Sequence, residues 1–275
     1  MTPDIPDGEL LKGKDAGEQV QHNRLVLDQF TKQAQPFAEK VDPAVNQKIF
    51  ELIINTSGVN ESDDLLDVAC GPGLLTCAFA RYVRSVAGID LASEMIRWAR
   101  FLAAAKNLSN VAWKIGDASA LPYRDHRFTA VVTRYSFHHL LDPRVALSEM
   151  VRVCRPGGKI VVIDEYTPPD PERASLFNAM EKLRDPSHVK AFAISELAAM
   201  MEQAEISISR TESYDLEIDL EVQLKSSFPN EGDADQFRAA INEDLGVGRI
   251  GIGSTRAGDR VLLAYPTVII VGRTK

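Results

Sequence analysis

Two glycines and a more distant carboxylate are the first residues whose types and spacing indicate chemistry. Gly71 and Gly73 follow the apolar run 65–68 and precede a helix-forming stretch, which predicts a buried strand, a tight turn and a helix. A turn without Cβ atoms lets the backbone pass close to a bound molecule. Asp90 ends the next apolar run, about 20 residues on, where a carboxylate can accept hydrogen bonds from a ribose diol. The pattern therefore predicts a nucleoside-binding site.

Two adjacent histidines form a second group with chemical potential. His138 and His139 follow the apolar run 128–133, and a neutral imidazole has a pKa suited to a general base near neutral pH. Asp164, at the end of a later apolar run, can orient one imidazole. The alternative for either histidine is a hydrogen bond to loop backbone. Adjacent residues on an extended chain point to opposite sides, so the pair does not predict a metal ligand set, and we expect no metal site.

A regular alternation of strands and helices must position these residues. Apolar runs predict strands at 85–90, 111–116, 128–133 and 159–164, and segments with helical periodicity lie between them. Helices are predicted at 74–84 and, capped by Ser93, after the second strand. The fold class is therefore α/β, a doubly wound, seven-stranded and mostly parallel sheet with ligands at the carboxyl ends of its strands.

Several short motifs follow the order of these elements. They are LDVACGPG at 66–73, GIDLASEM at 88–95, GDA at 116–118, RYSFHHL at 134–140, RPGGK at 155–159 and LRDPSHV at 183–189. Together they resemble the class I S-adenosylmethionine-dependent methyltransferases, in the subgroup that includes quinone-biosynthesis C-methyltransferases and bacterial small-molecule methyltransferases. The resemblance covers residues 63–166, and the last motif extends a fainter likeness to uncharacterised bacterial members.

The resemblance implies S-adenosylmethionine as the cofactor. Asp67 would order the glycine loop and reach the cofactor's ammonium group, although a carboxylate there can also be a helix-terminus partner. Asp117 would accept a hydrogen bond from the adenine amino group, while Leu91 and Met95 would pack on the adenine face. The full set of implied cofactor contacts is Phe30, Asp67, Ala69, Gly71, Gly73, Asp90, Leu91, Met95, Gly116, Asp117, Ala118 and Arg134.

The resemblance also implies an enzyme that methylates a small-molecule metabolite, with oxygen or carbon favoured as the acceptor atom. His138, His139 and Asp164 are then the predicted catalytic residues. One alternative is a nicotinamide oxidoreductase, against which Thr76 counts because it replaces the third glycine of the dinucleotide motif. The other is a protein that only binds S-adenosylmethionine, or uses it for chemistry other than methyl transfer.

Four regions are predicted along the chain. They are a flexible start and helical lid at 1–41, the cofactor-binding core at 42–166, an inserted substrate cap at 167–194, and the rest of the core with a second cap element at 195–275. Apolar residues at helical spacing, with Pro36 near the end, predict the helix of the lid. The alternative is that this helix simply packs on the edge of the sheet. Asp42 is predicted to cap the next helix, and alternating apolar residues at 206–220 predict a late strand.

Composition limits the partners. The 275 residues carry a net charge of −8, with a pI near 5.2, which argues against a nucleic-acid substrate. The acidic segment 205–244 is either a solvated face or an acidic recognition surface. Three cysteines without paired spacing suit a reducing compartment, and no membrane span or signal is apparent. We therefore expect a cytoplasmic monomer or homodimer that acts on a small molecule.

Overall fold

Five parallel strands form the part of the sheet on which the predicted motifs lie. The computed structural model describes residues 14–39 and 43–275. The parallel strands are β1 (Asp64–Val68), β2 (Ser85–Asp90), β3 (Val111–Ile115), β4 (Phe128–Arg134) and β5 (Cys154–Glu165). The middle of β4 and β5 is almost fully buried on both faces, as the unbroken apolar runs predict for strands covered by helices on each side.

Three antiparallel strands complete the sheet. They are β6 (Ile206–Asp219), β7 (Gly253–Ala257) and β8 (Arg260–Thr274). The order is β3-β2-β1-β4-β5-β8-β6, with β7 paired to β8 outside this path. The predicted fold class, a mostly parallel seven-stranded sheet, is confirmed, and β7 adds one short strand to it. The order reverses direction between β1 and β4, so their carboxyl ends flank the switch point where α/β sheets bind ligands.

Nine helices are described around this sheet. They are α1 (Lys14–Glu39), α2 (Pro43–Ser57), α3 (Leu74–Phe79), α4 (Ser93–Ala105), α5 (Pro143–Val153), α6 (Pro171–Arg184), α7 (Ile194–Gln203), α8 (Leu220–Ser227) and α9 (Asp233–Asp244). Buried apolar side chains form one core on each face of the sheet. Within the described ranges, no helix has both the length and the apolar character needed to cross a bilayer.

Local hydrogen bonds explain where helix boundaries differ from the prediction. The alternation at 206–220 suggested a strand through Leu220, but the Asp219 carboxylate accepts the N–H groups of Glu221 and Val222 and starts α8 instead. Ser93 is the first residue of α4 rather than its cap, which is Ala92.

Two other helix ends were predicted incorrectly. α3 stops at Phe79 rather than continuing to residue 84, because the Arg84 N–H donates to the Asp63 carbonyl beside the start of β2. α1 begins at Lys14 and runs past Pro36 to Glu39, since a proline in the last turn removes only one intrahelical hydrogen bond. The predicted start at 1–13 and the Asp42 cap lie outside the described residues.

Candidate active site

A cavity opens where the carboxyl ends of β1, β2, β3 and β4 meet, and α1 lies across it. Its empty space is about 1020 Å³ when the opening to solvent is included. The predicted cofactor residues that line it are Phe30, Asp67, Ala69, Gly71, Asp90, Leu91, Met95, Gly116, Asp117, Ala118 and Arg134. We call this space the first cavity. Eleven of the twelve predicted cofactor contacts thus face one space.

Gly73 is the predicted cofactor residue that does not line the first cavity. A Cβ atom at this position would lie 2.6 Å from Cη2 of Trp113 and 2.8 Å from Cβ of Ala99. Its φ of +77° is also one that glycine adopts without strain. Gly73 therefore allows α3, α4 and β3 to pack closely, whereas Gly71, which has open space around it, faces the cavity.

Asp90 joins the glycine turn to the start of α4. Its carboxylate accepts the Gly71 N–H at 2.8 Å and the Ala92 N–H at 2.9 Å. Burial raises the pKa of Asp90 to about 6, although these backbone hydrogen bonds favour its charged form. The side chain therefore holds the turn while it faces the cavity.

Asp67 lies deeper in the first cavity. It accepts a hydrogen bond from Oγ1 of Thr76 at 2.5 Å, so the residue that replaces the third glycine has a role of its own. Burial raises the pKa of Asp67 to about 7, with Thr76 and Arg134 acting to lower it and Asp90 acting to raise it. A cationic ligand group beside Asp67 would restore its charged form.

Asp117 connects the cavity to α1. Its carboxylate accepts the Ser119 N–H at 2.8 Å and the side-chain amide of Asn23 at 2.9 Å. On the same helix, Nε2 of His22 lies 2.7 Å from the His139 carbonyl oxygen. Neither His22 nor Asn23 was predicted as a site residue, because only the tertiary position of α1 brings them to the cavity.

A second cavity of about 680 Å³ adjoins the first. Residues that line both are Phe30, Phe37, Leu74, Arg134, Tyr135 and His139. The second cavity is otherwise lined by groups that include His138, Glu165, Arg184 and Asp185. The two spaces therefore adjoin each other, and His139 borders both.

His138 is held by Asp164, as the sequence suggested for one imidazole. Nδ1 of His138 is hydrogen-bonded to the Asp164 carboxylate, which also accepts the Phe137 N–H at 2.8 Å. Burial disfavours the charged imidazole, but Asp164 and Glu165 outweigh it and raise the pKa of His138 to about 9. Asp164 itself lines neither cavity, so it acts on His138 and the backbone of the turn.

His139 has a different environment. Its Nδ1 lies 3.1 Å from Oγ of Ser187, which donates to Asp185 at 2.6 Å, and its ring meets Phe30 edge-on at 4.9 Å. Burial and the neighbouring His138 lower the pKa of His139 to about 3. The two adjacent histidines therefore differ in both protonation and orientation.

Several residues that line the second cavity or lie beside it were not predicted as site residues. Glu165 follows Asp164 directly, and Asp185, Ser187 and His188 come from the loop after α6. The motif at 183–189 was the sequence signal that could have identified these last three. Tyr135, between Arg134 and the histidines, has a φ of +53°, a conformation that is costly for a residue with a side chain.

The first cavity fits the cofactor that the motifs imply. Asp67, Asp90 and Asp117 present three carboxylates to this space, and each accepts a hydrogen bond from the protein that fixes its position. Leu91 and Met95 supply apolar surface between them. The chemistry of these groups and their spacing along consecutive strands match S-adenosylmethionine.

Known proteins resemble this chain in sequence and in structure. A family model described as a methyltransferase domain matches residues 66–162. The uncharacterised methyltransferase YcgJ of Bacillus subtilis is 31% identical over 196 residues, which cover 69% of this chain and 78% of that protein. Demethylmenaquinone methyltransferase of Shouchella clausii is 35% identical over 138 residues, which cover 49% of this chain and 59% of that protein.

The crystal structure of YcgJ aligns with a TM-score of 0.76 and 27% identity, covering 83% of this chain and 99% of that one. The match therefore extends well beyond the residues that the family model covers. Sequence, strand order and the lining of the first cavity agree with one another. The chain belongs to the class I S-adenosylmethionine-dependent methyltransferases.

Proposed function

We propose that the protein transfers a methyl group to an oxygen or carbon atom of a small-molecule metabolite, with His139 as the general base. The position of His139 between the two cavities is the observation that carries this proposal. Cofactor in the first cavity and acceptor in the second would meet beside its ring.

Hydrogen bonding assigns the protons of His139. Because the Ser187 hydroxyl donates its proton to Asp185, its oxygen can only accept from Nδ1 of His139. The neutral ring then carries its proton on Nδ1 and its lone pair on Nε2. Asp185 and Ser187 thus orient His139 as a base in the way that a carboxylate orients a catalytic imidazole.

The reaction places limited demands on the protein. S-adenosylmethionine supplies an electrophilic methyl group on a positively charged sulfur. The two cavities would align the acceptor atom with that methyl group. Nε2 of His139 would take the proton from an acceptor O–H or acidic C–H as the bond to the methyl group forms and the methyl–sulfur bond breaks, which releases S-adenosylhomocysteine. The low pKa of His139 keeps its ring unprotonated but makes it a weak base, so the proton has to leave together with methyl transfer. A thiolate or neutral amine would gain little from such a base, which is why oxygen or carbon is proposed.

Three further observations support a small molecule rather than a macromolecule. The second cavity is bordered by Phe30 and Phe37 of α1 and by Glu165 of β5, so a bound acceptor would lie between α1 and the sheet. The acidic balance of the chain disfavours phosphate backbones. A relative named for demethylmenaquinone methylation supports the same class of acceptor. A cytoplasmic location and a monomer or homodimer remain predictions.

The proposal is tested by methylation of a metabolite extract with a cofactor that carries a deuterated methyl group, followed by mass spectrometry. On the acceptor so identified, His139→Ala should lower kcat by about 10²–10⁴ because proton removal is lost. Its affinity for S-adenosylhomocysteine should stay within about twofold of the wild type. His126→Ala is the matched control, since His126 bonds to the Cys154 carbonyl and lines neither cavity.

Full activity of His139→Ala would show that the base is another group. A loss of S-adenosylhomocysteine affinity without loss of kcat would make His139 a cofactor contact. Transfer of the labelled methyl group only to protein or nucleic acid in the extract would contradict the small-molecule acceptor.

A further inference from the structure

Three side chains of the types that bind metal ions converge beside the second cavity. His138 comes from the turn after β4, Glu165 from the end of β5 and His188 from the loop after α6. They are only 3%, 5% and 1% exposed, respectively. One potential ligand atom from each lies within 4.8 Å of the other two. Three distant parts of the chain thus bring two imidazoles and a carboxylate to one point.

His188 directs an unprotonated nitrogen toward this point. Its Nε2 lies 2.8 Å from Oδ1 of Asn178, and the same Oδ1 accepts the Ala191 N–H at 2.6 Å. The Asn178 oxygen is therefore an acceptor, so Nε2 of His188 must carry the proton. The lone pair is on Nδ1, which is buried, has no hydrogen-bond partner within residues 14–39 and 43–275, and lies 3.8 Å from Oε1 of Glu165.

His138 offers its other nitrogen in the same way. Its Nδ1 is hydrogen-bonded to Asp164, which leaves Nε2 as the nitrogen that can bind a metal ion when the ion displaces its proton. The rings of His138 and His188 are stacked, with centroids 5.6 Å apart. Metal-binding histidines usually donate their second nitrogen to a carboxylate or carbonyl group that fixes the ring. Asp164 and Asn178 are such partners for the two rings.

The surrounding charge favours a cation at this point. Asp164, Glu165, Glu181 and Asp185 are all buried, and Arg184 pairs with Glu181 and Asp185. In the described part of the chain, neither lysine nor arginine forms an ion pair with Glu165. Its Oε1 is buried without a hydrogen-bond partner there. A buried polar atom without a partner is costly, and a bound cation would supply the missing partner for Oε1.

We propose that His138, Glu165 and His188 bind one divalent transition-metal ion, for which Zn²⁺ is the best match. Zn²⁺ binds imidazole nitrogen and carboxylate oxygen at about 2.0–2.2 Å, and two histidines with one glutamate leave a further position open. His138 and Glu165 line the second cavity, so that position faces it and can take an oxygen atom of a bound molecule. Binding would draw the three ligand atoms, now within 4.8 Å of one another, closer together.

This site was not predicted from the sequence, where the adjacent His138 and His139 alone were considered. His139 takes no part in it. The expectation that the two rings point to opposite sides of an extended chain was wrong, because residues 137–139 form a 3-10 helix and the ring centroids lie 4.2 Å apart. The proposal is independent of the methyl acceptor and of the role of His139, because it concerns binding of a metal ion to the protein alone.

The test is calorimetric titration of the full-length, chelator-treated protein with Zn²⁺, and with Mg²⁺ as the comparison ion. The wild type should bind one Zn²⁺ per chain and bind Mg²⁺ far more weakly. His188→Ala and Glu165→Gln should each lower the Zn²⁺ affinity by more than tenfold. His126→Ala is the matched control, because it removes a histidine outside the triad, and its affinity should equal that of the wild type.

Circular dichroism shows whether each variant is folded. Should His188→Ala fail to fold, Glu165→Gln and the visible spectrum of the Co²⁺-substituted wild type still test the proposal, since Co²⁺ bound to this triad should absorb strongly and lose that absorption in Glu165→Gln. The proposal is overturned if the wild type binds no stoichiometric Zn²⁺, or if folded Glu165→Gln keeps the wild-type affinity.

Discussion

The two cavities differ in how their polar groups are satisfied. In the first cavity, Asp67, Asp90 and Asp117 each accept hydrogen bonds from the protein before any ligand binds. In and beside the second, Glu165 and His188 present buried atoms without such partners among the described residues, as does Nε of Arg134, which lines both cavities. The carboxylates of the first cavity are thus positioned in advance, whereas Glu165 in the second has an oxygen that only a ligand would pair.

This difference separates two tasks. The first cavity holds a cofactor that many related enzymes share, and turns after consecutive strands are sufficient to shape it. In the proposed function, the second cavity distinguishes one acceptor from others, and unpaired buried groups discriminate strongly because a wrong ligand leaves them unpaired. We therefore expect substitutions in the two regions to affect different measurements.

The largest effect should come from the glycine that supports the first cavity without lining it. Gly73→Ala should lower the free energy of unfolding by about 2–5 kcal/mol, because it adds left-handed strain and overpacks Trp113 and Ala99. Gly71→Ala, with φ of +54° and open space around it, should cost about 1–2 kcal/mol from strain alone. Chemical denaturation of both variants measures the difference.

The same two variants distinguish a residue that supports the first cavity from one that contacts the cofactor. Gly71→Ala should weaken S-adenosylhomocysteine binding, since it places a methyl group at the cavity wall, while folded Gly73→Ala should bind almost normally. Equal stability of the two variants would show that close packing around Gly73 matters less than its position implies.

The affinity for the cofactor should depend on pH, because two carboxyl groups of the first cavity titrate near neutral pH. Burial raises the pKa of Asp90 to about 6 and that of Asp67 to about 7, so both take up protons as the pH falls through this range. Only the ionised carboxylates favour an ammonium group and strong hydrogen bonds from hydroxyls. Affinity for S-adenosylhomocysteine should therefore be full above pH 8. Below pH 6, each of the two carboxyl groups should lower it by roughly tenfold for every pH unit.

Calorimetry at several pH values tests this dependence. Asp90→Asn should bind more weakly at pH 8 and show a flatter profile, because one of the two titrating groups is gone. A dissociation constant that is the same at pH 8 and pH 5.5 would contradict the assignment of both carboxylates to the cofactor.

The smallest effect should be on α1, the proposed lid. His22 and Asn23 tie it to His139 and Asp117, and Phe30 lines both cavities. Backbone amides of residues 20–37 should exchange with deuterium more slowly when S-adenosylhomocysteine is bound. Helix α7 is the internal control, since none of its residues lines either cavity. Equal exchange in α1 with and without ligand would favour simple packing on the sheet edge.

Most of the lining of the first cavity could be predicted from the sequence, because it comes from short segments that directly follow the strands. A strand, a glycine turn and a helix follow one another around Gly71, and Asp90 and Asp117 end the next two strands. In a parallel sheet, such strand ends necessarily meet at one edge. The order of the strands therefore predicts which residues come together. Gly73 is the exception, because it packs against Trp113 and does not line the cavity.

Apart from Phe30, Arg134, His138 and His139, the residues of the second cavity could not be predicted from the sequence, because they meet only through tertiary structure. Glu165 and His188 are separated by α6, and no periodic pattern connects them. His22 and Asn23 depend on where α1 lies across the sheet. At Leu220, the local capping by Asp219 prevailed over an apolar alternation that resembled a strand. Long-range contacts and single side-chain hydrogen bonds decide such cases, and neither leaves a repeat in the sequence.

The shared wall of the two cavities has a consequence for inhibition. Phe30, Tyr135 and His139 border both spaces, so a single molecule can extend from the adenosine position past His139 to the acceptor position. Such a tethered compound loses translational and rotational freedom once rather than twice, and its second half binds at a high effective concentration. Its adenosine half would suit the whole family, while its other half would confer selectivity for this enzyme.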